Sequence, residues 1–148
     1  MKEFKGRAVI PGECVAGARV THAKFDTYRA LFGSLRGVGR TARCADPSDM
    51  ELFGKEVKGY ALCIRDAVGS ELGSYVLYCL CAMERQPACI LISEHIDETT
   101  AAAAALIRVW CEKVNMPVID CLGDDFLDSV EDGATVTVCA DGVVKVGE

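Results

Sequence analysis

The chain has 148 residues, 51% of them hydrophobic, and a formal net charge of −6 at pH 7; one domain-sized core can be filled, and the charge argues against nucleic acid as the main partner. No stretch approaches the roughly 20 uninterrupted apolar residues of a membrane helix, and Met1-Lys2-Glu3-Phe4-Lys5 has no apolar run behind a basic segment, so one soluble, unprocessed domain over 1–148 with no membrane partner is expected. Nine cysteines, an odd number spread through apparent strands and helices, point to reduced thiols in a cytoplasm rather than to a disulfide framework.

In chain order, Gly6 to Glu13 opens as a short strand broken by Pro11-Gly12, and Gly17 to Phe25 reads as a second; both are expected to be antiparallel. Thr27 to Ala45 carries Arg29, Arg36, Arg40 and Arg43, three glycines and no acidic residue. That composition fits a solvated loop or a flap that meets an anionic ligand or an acidic partner surface. Asp46-Pro47-Ser48-Asp49 makes a turn, and Asp49 to Phe53 reads as one helical turn. Tyr60 to Ile64 is continuously apolar and closed by Arg65 and Asp66, which suits a strand covered on both faces in a parallel sheet. From Gly73 onward, Val76, Leu77, Leu80 and Met83 recur on one helix face, and Arg85-Gln86-Pro87 ends it. The connection from Ala67 to Leu72 therefore lies at the carboxyl end of a strand and the amino end of a helix, where unpaired N–H groups and the positive dipole end favour negative charge.

Ala88 to Ser93 is a second buried strand. Glu94 to Thr99 leads into a long helix capped by Asp97 or Thr99, marked by Ala102, Leu106, Val109 and Trp110, and ended at Asn115-Met116-Pro117. Pro117 to Leu122 is a third strand, and Phe126, Leu127 and Val130 have helical spacing. Ala134 to Cys139 alternates threonines with valines, and Asp141-Gly142 turns into Val143 to Val146. Strand, helix, strand, helix, strand in the middle winds into a parallel βαβαβ layer. With the flanking short strands packed on it as a second sheet, the expected fold is an α/β domain of three layers, β/β/α. Ligand groups collect outside the carboxyl ends of parallel strands, which gathers Asp66 to Leu72, Ser93 to Glu98 and Leu122 to Asp125.

Gly69-Ser70-Glu71-Leu72-Gly73-Ser74 is neither a dinucleotide fingerprint nor a phosphate-binding Walker loop, since the glycine spacing differs and no lysine follows. Ser70 reads as a helix N-cap or as a base whose alkoxide the same N–H groups would stabilise; the local pattern does not separate the two. His95, among Glu94, Asp97 and Glu98, reads as a proton shuttle or as a capping or surface residue. The sequence has no Cys-x-x-Cys, and Cys79 and Cys81 point to different helix faces, so no metal or cluster is assigned to this chain.

At Gly69 to Tyr78 the sequence resembles the small, swivelling-domain subunit of the aconitase X family. The stretches Gly6 to Glu13, Met50 to Gly59, Gln86 to Ile90 and Leu122 to Leu127 carry the same resemblance, which covers the chain from Gly6 to about Val138. It implies an aconitase swivel-like fold, a partner large subunit that bears the iron–sulfur cluster, and a small hydroxy-acid substrate held between the two chains, as in dehydratases of cis-3-hydroxy-L-proline and of mevalonate 5-phosphate. It further implies Ser70 as proton acceptor, with Gly69, Gly73 and Ser74 shaping the loop and binding substrate. Many relatives have an arginine directly before the Gly-Ser pair. Here Val68 stands there, with Arg65 three residues earlier as the substrate-binding candidate. The family's aromatic-Gly-Gly-Asp-Pro segment is absent, and the arginine-rich stretch replaces it, which makes Arg36, Arg40 and Arg43 alternative holders of the substrate anion.

Overall fold

The computed structural model describes residues 1–68 and 71–147. In chain order the elements are β1 (Lys2–Lys5), β2 (Arg7–Ile10), β3 (Cys14–Thr21), β4 (Phe25–Asp26), α1 (Thr27–Leu31), a 3-10 turn (Phe32–Leu35), β5 (Ala61–Ile64), β6 (Ala67–Val68), α2 (Glu71–Ala82), β7 (Cys89–Ile92), α3 (Glu98–Trp110), β8 (Val118–Asp120), α4 (Asp124–Ser129), β9 (Thr135–Val138) and β10 (Val143–Val146). β3, β5, β7 and β8 run parallel, with β2 antiparallel on the β8 edge. β9 pairs antiparallel with β3 and with β10, and β10 pairs with β1.

Three layers follow from the burial of the central strands, in which every residue of β5 and β7 is buried. Successive side chains of a strand point to opposite faces. Leu62, Ile64, Ile90 and Ile92 therefore meet the helices at Val76, Leu77, Leu80 and Ile107. Ala61, Cys63, Cys89 and Leu91 meet Phe126, Val136, Val138 and Val144 on the other side. The expected β/β/α layering is present.

Two expectations need correction. The second strand is not simply antiparallel: Cys14 to Gly17 pair antiparallel with β9, while Ala18 to Thr21 pair parallel with β5. One strand serves both sheets, and the parallel layer has four strands rather than three. Alternation in sequence tells which face a residue takes, not which way its neighbour runs. Nor is the arginine-rich segment a solvated loop throughout: Arg36 to Arg40 are exposed, but the residues on either side are held in the fold. The segment opens with α1, capped where the Asp26 carboxylate accepts from Arg29 N at 3.1 Å, and it buries Ala30, Leu31, Ala42 and Cys44. Cys44 N donates to Lys55 O at 3.0 Å and Val57 N to Ala42 O at 2.7 Å, so Ala42 and Cys44 are paired backbone in a core, whereas Val38 is exposed chain.

Gly6 and Gly73 are among the glycines that permit close approaches. A Cβ on Gly6 would stand 2.5 Å from Asp120 O, and one on Gly73 would stand 3.2 Å from Thr27 Cβ, so the first seats the start of β2 against β8 and the second seats α2 on α1. Among the described residues no helix is long and apolar enough to cross a membrane.

Candidate functional site

The carboxyl ends of β5, β7 and β8 are laced together by backbone hydrogen bonds. Glu94 N donates to Arg65 O at 3.1 Å, Cys121 N to Glu94 O at 2.9 Å, and Gly123 N to Ser93 O at 2.9 Å. The three connections that follow these strands therefore share one end of the sheet. Gly69 and Ser70 lie outside the described residues. On either side of them, β6 pairs parallel with β4 and α2 starts at Glu71, so both anchors of the Gly-Ser connection are fixed at that end.

Arg65 donates from Nε to Glu94 Oε1 at 3.0 Å, with both side chains about half exposed. Its Nη1 and Nη2 have no partner among the described residues. Gly73 is buried in the first turn of α2, against Thr27. Ser74 donates from Oγ to Thr99 O at 2.8 Å, which ties the first turn of α2 to the first turn of α3. Asp97 caps α3, its Oδ2 accepting from Thr100 N at 3.0 Å and Thr99 Oγ1 at 2.6 Å. Burial opposes ionisation of Asp97, but the hydrogen bonds from Thr100 and Thr99 outweigh it and hold the carboxyl below its ordinary range. Buried oxygens of Asp66 and Asp97, one Oδ1 from each, have no hydrogen-bond partner among the described residues.

Sequence reasoning missed the pair that fixes the third connection. Asp120, wholly buried, accepts from Arg7 Nε at 2.9 Å, from Arg7 Nη2 at 2.6 Å and from Ile96 N at 2.8 Å. Burial again works against the charge, and the Arg7 and Ile96 donors reverse it, so its carboxyl titrates below the usual value. Arg7 and Asp120 are 113 positions apart; only the charge closing the apolar run Val118-Ile119-Asp120 hinted that a partner was needed. Arg7 Nη2 also lies 3.2 Å from His95 Nε2, while His95 Nδ1 is 2.7 Å from Ile96 O. A carbonyl can only accept, so Nδ1 carries the proton and Nε2 accepts from Arg7. Both ring nitrogens are thus engaged. His22 joins Glu51 at 2.9 Å and Asp128 at 3.5 Å, and the Glu51 hydrogen bond raises its pKa above 6.5.

The arginines of the 27–45 segment go elsewhere. Arg43 donates to Gly54 O, and Arg85, just beyond the carboxyl end of α2, donates to Ser34 O and Gly37 O. α2 has 12 residues and so is about 18 Å long. Arg43 therefore stands at the far end of that helix from the Gly-Ser connection. Among the described residues no group of three or more His, Cys, Asp or Glu is placed to hold a metal ion.

A family model described as the aconitase X swivel domain matches residues 3–146. The phosphomevalonate dehydratase small subunit of Methanosarcina mazei is 37% identical over 136 residues, covering 92% of this chain and 84% of that one. The subunit of the same name from Aeropyrum pernix is 33% identical over 93 residues, 63% of this chain and 64% of that one. The crystal structure of Thermococcus kodakaraensis aconitase X in its holo form matches over the full length of both chains with a TM-score of 0.81 at 22% identity, a likeness of fold.

Proposed function

We propose, because this chain belongs to the aconitase X swivel-domain family, that it is the small subunit of a two-chain hydro-lyase that dehydrates a small hydroxy acid in a reducing cytoplasm. The observation that carries this reading is the match to dehydratase small subunits along nearly the whole chain. The substrate sits between this chain and a larger subunit, and the small subunit is inactive alone. The larger subunit's iron–sulfur cluster supplies the Lewis acidity that the leaving hydroxyl needs.

What this chain supplies is the base. Ser70 takes the proton from the carbon next to the substrate carboxylate; the electrons of that C–H bond form the double bond as the hydroxyl departs, and the net loss is one water. The position supports this assignment, because the first N–H groups of α2 and its positive dipole end favour the alkoxide form. Gly69, Gly73 and Ser74 shape the connection and bind substrate, with Gly73 and Ser74 also steadying it through Thr27 and Thr99. Arg65, anchored to Glu94 through Nε alone, offers its remaining N–H groups to the substrate carboxylate.

The test is dehydratase activity after anaerobic co-expression with the large subunit of the same genome, followed by absorbance of the unsaturated product. Ser70→Ala is expected to lower kcat by about 10²- to 10⁴-fold with the complex intact by size exclusion. Equal activity in both proteins makes Ser70 a helix cap and overturns its assignment as base. A silent wild-type complex across a panel of hydroxy acids favours the other reading, a non-catalytic swivelling domain that binds an anionic ligand or regulates its partner.

A further inference from the structure

At the amino end of β5, opposite the candidate site, the segment around 40–44 pairs with 55–58, and Gly59 N donates to Gln86 O at 3.1 Å. This brings the arginine-rich stretch against the turn that follows α2. The cations gathered there have neutral partners. Arg43 Nη1 donates to Gly54 O at 3.2 Å, Arg85 Nη1 to Ser34 O at 2.8 Å and Gly37 O at 3.4 Å, and Lys58 Nζ to Arg40 O at 2.7 Å. Arg36 lies over the Phe32 ring, 4.8 Å from its centroid. Elsewhere the fold matches cations with carboxylates, as in Arg7–Asp120, Arg19–Asp132, Lys55–Asp132 and Arg65–Glu94. Among the described residues no carboxylate lies within 4.0 Å of a charged nitrogen of Arg36, Arg40, Arg43, Lys58 or Arg85. The acid nearest in the pairing, Glu56 opposite Arg43, accepts from Thr41 Oγ1 at 2.6 Å.

Uncompensated positive charge is thus concentrated at one end of a chain whose net charge is −6, and its backbone anchors hold it in place. Like charges fixed side by side repel one another unless an anion joins them. Within the cluster is a hollow of about 300 Å³, lined by Gly33, Ser34, Gly37, Gly39, Arg43 and Arg85 among others. Glycines in its wall let a ligand come close to the backbone. Arg43 and Arg85 each use only Nη1, which leaves Nε and Nη2 of both without a partner among the described residues; the guanidinium fork matches phosphate oxygens in pairs. We propose that this hollow binds the phosphate group of a small molecule, at a site separate from the Gly-Ser connection. A concave, glycine-walled hollow favours such a ligand over a flat acidic protein surface.

The test is a titration of the full-length chain with inorganic pyrophosphate, followed by ¹⁵N NMR. The expected result is saturable shifts at Gly37, Gly39, Thr41 and Arg43, with affinity lowered about tenfold or more in Arg43→Gln and in Arg85→Gln. Arg108→Gln, on α3, should leave it unchanged. Shifts confined to 65–74, shifts that fail to saturate, or affinity indifferent to both substitutions would each overturn the proposal. So would a polyglutamate peptide that binds these residues where pyrophosphate does not, because that outcome assigns the cluster to an acidic protein partner. None of these outcomes bears on Ser70, so failure here is distinct from failure of the dehydratase reading.

Discussion

Replacing Asp120 by Asn keeps the shape of a wholly buried side chain and removes its charge. The carboxylate serves three donors, Arg7 Nε, Arg7 Nη2 and Ile96 N. An amide presents one oxygen and turns its own NH2 toward donors on the other side, so at least one buried pairing is lost. Arg7 is about half exposed, which screens the Coulomb part of the pair. The loss is then set mainly by hydrogen bonds to a buried charge, about 2–4 kcal/mol. For a chain of 148 residues this lowers Tm by roughly 4–12 °C. The pH dependence identifies the cause. The native carboxyl titrates below its ordinary value of 3.8, so its contribution is complete above that value and is lost as pH falls through the native pKa. Other acids contribute equally to both proteins and cancel in the difference. Urea unfolding followed by circular dichroism, from pH 7 down to about pH 3, should give a gap between wild type and Asp120→Asn that is full at neutral pH and narrows in acid. A gap below about 0.5 kcal/mol at pH 7, or one that stays constant into acid, would refute the reasoning.

Gly6→Ala places a methyl 2.5 Å from Asp120 O and should cost about 1–3 kcal/mol in urea unfolding; no measurable loss would mean that β2 can move off β8 freely. His22 has its pKa raised above 6.5 by the Glu51 hydrogen bond, so its contribution is complete below that value and lost as pH rises through the native pKa. The fall in Tm between pH 6 and about 8 should be shallower in His22→Gln, and identical slopes would remove the ion pair as a source of stability. Thiol labelling in native buffer should reach the exposed Cys79 and Cys121 first, whereas Cys44, Cys63, Cys81 and Cys89 are buried. Burial pushes the Cys81 thiol up to about 12, so these four should label only in denaturant; early labelling of Cys63 or Cys89 would contradict the central sheet.

The parallel core was legible because Ala61 to Ile64 and Cys89 to Ile92 are unbroken apolar runs, closed by Arg65 and by Ser93-Glu94, and such runs have few other solutions. α2 was legible from the spacing of Val76, Leu77 and Leu80 and from its stop; α3 was expected, but the side marked by Ala102, Leu106, Val109 and Trp110 is the exposed one, Ala103, Ala104 and Ile107 being buried, and the helix ends at Trp110, short of Asn115-Met116-Pro117. β1 was not, since Lys2-Glu3-Phe4-Lys5 offers one apolar side chain and its place depends on pairing with Val143 to Val146. α1 was missed because five residues are too few to show a helical period, and the arginines around it drew attention from the buried Ala42 and Cys44. At the candidate site, the convergence of the three connections followed from the order of elements alone, and the backbone bonds among 65, 93, 94, 121 and 123 realise it. The Arg7–Asp120 clamp lay beyond reach because no local pattern relates residues that meet only through the fold. The same holds for Arg43 and Arg85, which stand 42 positions apart until backbone pairing gathers them; about this kind of contact sequence says little.

The double use of β3 also governs when the chain can assemble. Its second half can find β5 once residue 64 has left the ribosome, but its first half waits for Val138, and Lys2 waits for Val146. During synthesis β1 and the first half of β3 therefore remain unsatisfied edges until the β9–β10 hairpin arrives, a state open to capture by chaperones or by another nascent copy. Closure of the β-layer is a late, non-local event. Shortening the carboxyl terminus by a few residues should consequently injure the opposite terminus first.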